Sequence, residues 1–183
     1  MGNFKEDIAR VEAIVLDVDG VMTDGGIIPT PDGDFIRRYN AKDGYAIASA
    51  IREGLKICII SGGRGRMLEN RLQMLGVTRY YLNCMDKVTA IREFATDHNV
   101  DLENVIYMGD DIPDLECMRM VGIPVAPADG CSEVLETAMY ISEYNGGAGA
   151  VRDIIEQVLR VKGIWALDSK GVIAADADKT ASR

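Results

Sequence analysis

Short apolar runs that stop at acidic or small residues recur along the chain, and stretches with a helical apolar stripe fill the gaps between them. Ala13 to Val18 is the first run, and it ends at Asp19 and Gly20, as a buried parallel strand does when it delivers polar groups at its carboxyl edge. Lys56 to Ser61, Asn104 to Gly109 and Ile123 to Ala126 repeat the pattern. Between them, Leu68, Leu72 and Leu75 share one face of a helical segment ending at Gly76, and Val88, Ile91 and Ala95 share one face of the next. Strand and helix alternate, which predicts an α/β fold: a doubly wound parallel sheet with helices on both faces. Such sheets bind ligands outside the carboxyl ends of their strands.

Two stretches depart from that rhythm. Gly25 to Tyr39 places Pro31-Asp32-Gly33 between β-prone residues, which predicts a hairpin that projects as a flap just after the first strand. Gly146-Gly147-Ala148-Gly149 predicts a flexible loop before a helix with Val151, Ile154, Ile155, Val158 and Leu159 on one face. Beyond Trp165 the residues turn small and polar, so residues 1–165 are expected to form one domain and residues 166–183 a flexible C-terminal tail. The total of 183 residues suits one domain, and 48% hydrophobic with 27% charged residues is too apolar for a disordered chain.

Charge narrows the partners. A formal net charge of −9 supplies no broad cationic field for nucleic acid or an anionic membrane, so neither is expected as a partner. A small anionic substrate remains compatible if a metal ion and local Lys or Arg residues reverse the potential inside one cleft. No run approaches the ~18 apolar residues of a membrane span, and Cys58, Cys84, Cys117 and Cys131 form neither a CxxC pair nor a zinc spacing with His98. Free thiols and a cytoplasmic protein are expected.

The chemistry concentrates at the expected strand ends. Asp17-Val18-Asp19-Gly20 puts two carboxylates on one face if the strand stays extended, although the same residues also suit an ordinary turn. Gly109-Asp110-Asp111-Ile112-Pro113-Asp114 follows a second strand, and acidic clusters at two strand ends suit a hard divalent cation with oxygen ligands. Asp114 equally suits a helix cap. Ser61-Gly62-Gly63 closes another strand, where a hydroxyl and backbone N–H groups can hold a phosphate oxygen or simply make a turn. Lys87 opens a helix, an unfavourable end for a cation, which favours a functional ammonium over a structural one.

Taken in order, DxDG, Ser, Lys and GDDxxD resemble the motifs of the haloacid dehalogenase phosphatase superfamily, over roughly Ala13 to Arg160. The closer resemblance is to sugar-acid phosphatases of the 3-deoxy-D-manno-octulosonate 8-phosphate (KDO 8-phosphate) type. It rests on LDVDGVxTDG at Leu16 to Gly25, NxxDG at Asn40 to Gly44 and GGxGAVR at Gly146 to Arg152. The resemblance implies a Rossmann-like, capless core and a magnesium-dependent hydrolysis of a sugar-acid phosphate, most specifically KDO 8-phosphate in lipopolysaccharide precursor synthesis. It implies Asp17 as nucleophile, Asp19 as general acid and then base, Ser61 and Lys87 as phosphate ligands, and Mg2+ held by Asp17, the backbone carbonyl of Asp19 and Asp110.

The same resemblance assigns substrate contacts to Asp19, Lys87, Gly62, Gly63 and a substrate loop of Asn40, Lys42, Asp43 and Gly44. Arg71 matches an arginine that reaches a neighbouring subunit's substrate, within a homotetramer whose flap and neighbour close the cleft. Bland readings stand beside these, since Arg71 and Lys42 also suit a solvated surface. Ala48 and Gly63 stand where well-known members carry arginine. The nine-carbon branch acting on 2-keto-3-deoxynononate (KDN) 9-phosphate carries glutamate at the place of Gly63, so Gly63 leans toward the eight-carbon ester. A non-enzymatic receiver-type phosphoacceptor module is the reading from a different class; it places its acids on separate strands, unlike the single DxD motif here.

Overall fold

The computed structural model describes residues 4–165, so the expected tail at 166–183 lies outside the described residues. A short helix α1 (Phe4–Asp7) leads into β1 (Ala13–Leu16), whose four residues are all buried. Its neighbours are β4 (Lys56–Ile60) and β6 (Val105–Met108), both parallel to it. β5 (Arg79–Tyr81) extends the sheet beyond β4, while β7 (Ile123–Ala126) and β8 (Tyr140–Ile141) extend it beyond β6. The order β5-β4-β1-β6-β7-β8 is that of a doubly wound sheet, because the chain builds outward from β1 on one side and then returns to build on the other.

Alternation along the strands divides the core in two. Ile14, Leu16, Ile57 and Ile59 face α2 (Ala41–Arg52), α3 (Arg66–Met74) and α7 (Ala150–Val161). Ala13, Val15, Cys58 and Ile60 face α4 (Lys87–His98), α5 (Leu115–Met120) and α6 (Ser132–Thr137). Both faces of β1 are covered by helices, which is why its residues read as an unbroken apolar run. Trp165, 2% exposed, closes the first layer at the end of α7.

The flap is β2 (Ile28–Pro29) paired antiparallel with β3 (Phe35–Ile36), and Pro31-Asp32-Gly33 forms its turn. It is the insertion between β1 and α2. Ile27, Ile28 and Ile36 stand exposed on it.

Several local expectations need correction. The first strand stops at Leu16 and not at Val18: the Val18 carbonyl accepts the N–H groups of Val21, Met22 and Thr23, and that turn competes successfully with further ladder pairing. Asp19 therefore reaches the cleft from a turn and not by strand alternation. The segment Asn40 to Gly44 is no loop. Asn40 caps α2, its side-chain oxygen accepting the N–H groups of Lys42 at 2.8 Å and Asp43 at 3.4 Å. The strands β5 and β8 carry only three and two residues and sit at the sheet edges, too short for a periodic signal. The glycine loop before α7 is pinned, since Gly147 N–H donates to the Val21 carbonyl at 3.0 Å and Gly146 N–H to Asp129 Oδ1 at 2.8 Å. A Cβ on Gly146 would collide with the Gly20 carbonyl, so the glycine permits two backbones to touch.

Candidate active site

The carboxyl ends of β1, β4 and β6 surround a cavity of about 280 Å3 lined by Asp17, Asp19, Ser61, Gly62, Gly63, Lys87 and Asp110. Asp17 follows β1 directly, and its N–H still donates to the Met108 carbonyl at 3.1 Å, which fixes its backbone to the sheet. Only 6% of the residue is exposed. Gly20, in the turn beyond, has φ +94° and lies against Asp110, whose carboxylate occupies the space a Cβ would need. Glycine is thus required there both for the backbone conformation and for the approach of the second acidic cluster.

Lys87, at the start of α4, reaches across the sheet edge. Its Nζ donates to Asp17 Oδ1 at 2.9 Å and to Asp114 Oδ1 at 2.7 Å. Asp114 is 1% exposed and also accepts the Tyr107 hydroxyl at 2.7 Å, while its second oxygen accepts the Asp110 N–H at 3.2 Å. With both oxygens held by protein donors, Asp114 serves as the anchor that aims the Lys87 ammonium at Asp17.

Electrostatics sets this cluster apart from an ordinary helix cap. Burial pushes the Asp17 carboxyl up to about 7, the charge of Asp114 adds to the rise, and Lys87 opposes it. Burial likewise raises Asp110 to about 7, with Asp17 adding repulsion. At Lys87 burial acts to lower the pKa, but Asp17 and Asp114 together outweigh it and hold the ammonium above its ordinary range.

The donor set fits a divalent cation. Oxygens of Asp17, Asp110 and Asp114 all lie within 4.8 Å of one another, and with all three carboxylates ionised against one ammonium two negative charges stand in excess. Hard oxygen donors and that deficit suit Mg2+. Asp114 has both oxygens held by protein donors, so Asp17 and Asp110 are the carboxylates available to hold the ion.

Ser61 follows β4, 1% exposed, and its Oγ accepts the Gly63 N–H at 3.0 Å. The loop is tied to the one after β5 by Cys84 N–H on the Ser61 carbonyl at 3.0 Å and Asn83 N–H on the Gly63 carbonyl at 2.8 Å. Asp19, Ser61, Gly62, Gly63, Lys87 and Asp110 thus share one cleft with Asp17.

Asn40, Lys42, Asp43, Gly44 and Arg71 do not line that cavity. Asp43 is buried and accepts the Arg152 N–H at 2.8 Å, tying α2 to α7. Arg71 lies over the Tyr39 ring at 5.4 Å and against Gly44, where a Cβ would strike its guanidinium. Lys42 lines a separate cavity of about 490 Å3 beside Arg152. Two residues absent from the sequence-based site belong to this region: Tyr107, concealed as an apolar strand residue, and Arg37, whose only signal was a pair of cations at the base of the flap.

Known proteins resemble the chain in both sequence and fold. Residues 83–155 match the model of the haloacid dehalogenase-like hydrolases. The 3-deoxy-D-manno-octulosonate 8-phosphate phosphatase of Yersinia pestis is 37% identical over 151 residues, covering 82% of this chain and 81% of that protein. Its crystal structure superposes with a TM-score of 0.85 at 35% identity, covering 88% of this chain and 87% of the other. The corresponding phosphatase from Moraxella catarrhalis, solved with magnesium, phosphate and KDO, gives a TM-score of 0.84 at 28% identity, covering 88% of this chain and 93% of the other.

Proposed function

Because the chain belongs to the 3-deoxy-D-manno-octulosonate 8-phosphate phosphatase family of the haloacid dehalogenase-like hydrolases, we propose that it hydrolyses KDO 8-phosphate to KDO and phosphate in lipopolysaccharide precursor synthesis. The enzyme is a magnesium-dependent phosphatase. The observation that carries the reading is Lys87 set between Asp17 and Asp114 at the edge of the sheet, beside the Asp110 carboxylate.

Phosphate monoesters hydrolyse so slowly in water that acceleration of up to ~10²¹-fold is required, and most of it must come from positioning and charge neutralisation. Asp17 Oδ attacks phosphorus, the bond from phosphorus to the sugar oxygen breaks, and Asp19 gives its proton to the departing oxygen. The product is an aspartyl phosphate on Asp17 and a free alcohol. Asp19, now a carboxylate, takes a proton from water as the water oxygen attacks phosphorus, which releases phosphate and regenerates Asp17. Lys87, the Ser61 hydroxyl and the Gly62 N–H hold the phosphate oxygens, while the Gly63 N–H donates to Ser61 Oγ and so fixes that hydroxyl in place. Asp17, Asp110 and the Asp19 carbonyl hold Mg2+, which supplies positive charge against the phosphate when bound.

The flap and the chain's acidity bear on assembly and surroundings. Met85, 91% exposed at the cleft, and Ile27, Ile28 and Ile36, 48%, 62% and 46% exposed on the flap, leave apolar surface of the kind that subunits cover. This supports a homotetramer whose neighbouring subunit closes the cleft, with Arg71 assigned to that neighbour's substrate and the capping Asn40 and exposed Lys42 nearest the subunit boundary; Asp43 and Gly44 are buried in their own subunit and hold the start of α2 in place. Among the described residues no helix is long and apolar enough to cross a membrane, and four free thiols suit the cytoplasm.

Phosphate release from KDO 8-phosphate and KDN 9-phosphate, measured side by side with and without Mg2+, tests the reading. Turnover is expected to favour the eight-carbon ester, to require the metal, and to fall by roughly 10⁴-fold or more in Asp17→Asn. A preference for the nine-carbon ester would overturn the substrate; residual turnover by Asp17→Asn would overturn the nucleophile. Sedimentation of the active protein as a monomer would remove the shared cleft.

A further inference from the structure

Arg37 stands at the base of the flap, immediately after β3, and turns inward. Its Nε donates to Asp19 Oδ1 at 2.6 Å and its Nη2 to Asp19 Oδ2 at 3.1 Å, so one guanidinium edge grips both carboxylate oxygens. The side chain is 3% exposed whereas Asp19 is 22% exposed, which places the arginine behind the carboxylate and leaves the carboxylate open to the cleft. The guanidinium is itself held: Nη1 donates to the Arg64 carbonyl at 3.4 Å, and the group lies 5.7 Å from the Phe35 ring centroid.

Gly63 makes the space for this grip. A Cβ at Gly63 would stand 2.7 Å from Arg37 Nη2 and 3.0 Å from Asp19 Oδ2, closer than either tolerates without moving. The residue type at position 63 and the clamp on Asp19 are therefore linked, a connection the substrate-binding reading of Gly63 does not contain.

We infer that Arg37 is a positioning residue for Asp19, a fork carried on the flap that fixes the plane of the acid/base carboxylate and so couples the flap's place to proton transfer. A paired guanidinium sets orientation as well as distance. Each carboxylate oxygen has two acceptor sites, so an edge-on arginine leaves the remaining sites to face the leaving oxygen or the attacking water. The inference rests on Asp19 acting as the acid and base of the proposed reaction.

The test exploits leaving-group chemistry. A sugar alkoxide leaves only with a proton from Asp19, whereas p-nitrophenolate leaves without help. The ratio kcat/KM reports phosphorylation of Asp17, so Arg37→Ala is expected to lower it at least about tenfold more for KDO 8-phosphate than for p-nitrophenyl phosphate. Arg37→Lys, which keeps the charge but not the fork, is expected to fall between the wild type and Arg37→Ala, and added methylguanidinium to recover part of the loss in Arg37→Ala. Thermal unfolding checks that both variants are folded. Equal losses on the two esters, or none, would overturn the role of Arg37 provided that Asp19→Asn still loses the sugar ester selectively in kcat/KM. If Asp19→Asn loses no more on the sugar ester than on the aryl ester, the acid assignment itself fails, and the inference with it.

Discussion

At the scale of single residues, the site is a problem of crowding negative charge without water to screen it. Asp17 and Asp114 share one ammonium, and Asp110 stands beside them with Gly20 giving it room. Lys87 is the only cation that touches Asp17 among the described residues, which makes its removal informative. Lys87→Met is expected to raise the dissociation constant of inorganic phosphate about 30-fold, the equivalent of about 2 kcal/mol, because a desolvated charge pair loses one partner. Phosphate titration in the presence of Mg2+ reads this directly, and unchanged affinity would remove Lys87 from the phosphate site. The importance of Lys87 was legible in the sequence because a lysine at a helix N-terminus opposes the dipole. Tyr107 was not legible: in a strand buried on both faces, a tyrosine that donates to Asp114 looks like one more apolar residue.

At the scale of elements, turns and caps deliver the chemistry, and the strands supply the fixed edge. The turn after β1 gathers three N–H groups on the Val18 carbonyl and swings Asp19 outward, where the flap's Arg37 meets it. Helix α2 begins with Asn40 as its cap, followed by the residues assigned to substrate contact. Asn40→Ala is expected to cost about 1 kcal/mol in chemical denaturation, and Asn40→Ser to recover most of it, because either oxygen can accept the free N–H groups of the first turn. If Asn40 also touches substrate, KM stays raised in Asn40→Ser while stability returns. A KM that follows stability in both variants would reduce Asn40 to a cap. The helix was hidden from the sequence reading by Gly44 and by the polar start of the segment, although Ala46, Ile47 and Ala50 carry a helical stripe.

At the scale of the whole molecule, a doubly wound sheet concentrates these charges at one end, and a divalent cation is the natural counterweight. In the metal-free protein Asp17 and Asp110 are raised from 3.8 to about 7, so between those values the folded chain holds protons that the unfolded chain has released. Stability of the metal-free protein is therefore expected to fall as pH climbs through that window, since folding then loses its excess of bound protons. Mg2+ competes with those same protons, so the rise in melting temperature that it produces should be larger at pH 8 than at pH 6. Thermal unfolding at both pH values, with the metal and with a chelator, measures the two slopes; a metal effect independent of pH would count against Asp17 and Asp110 as its ligands. The sequence by itself determined the alternating α/β order, the acidic strand ends, the flap and the family motifs, because apolar periodicity and turn chemistry are local properties of the chain. Tertiary structure alone decided that Asp114 anchors Lys87, that Tyr107 supports Asp114 and that Arg37 clamps Asp19 over Gly63. Those contacts join residues whose partners come from different elements or across a turn, and only the folded geometry fixes how closely their side chains approach.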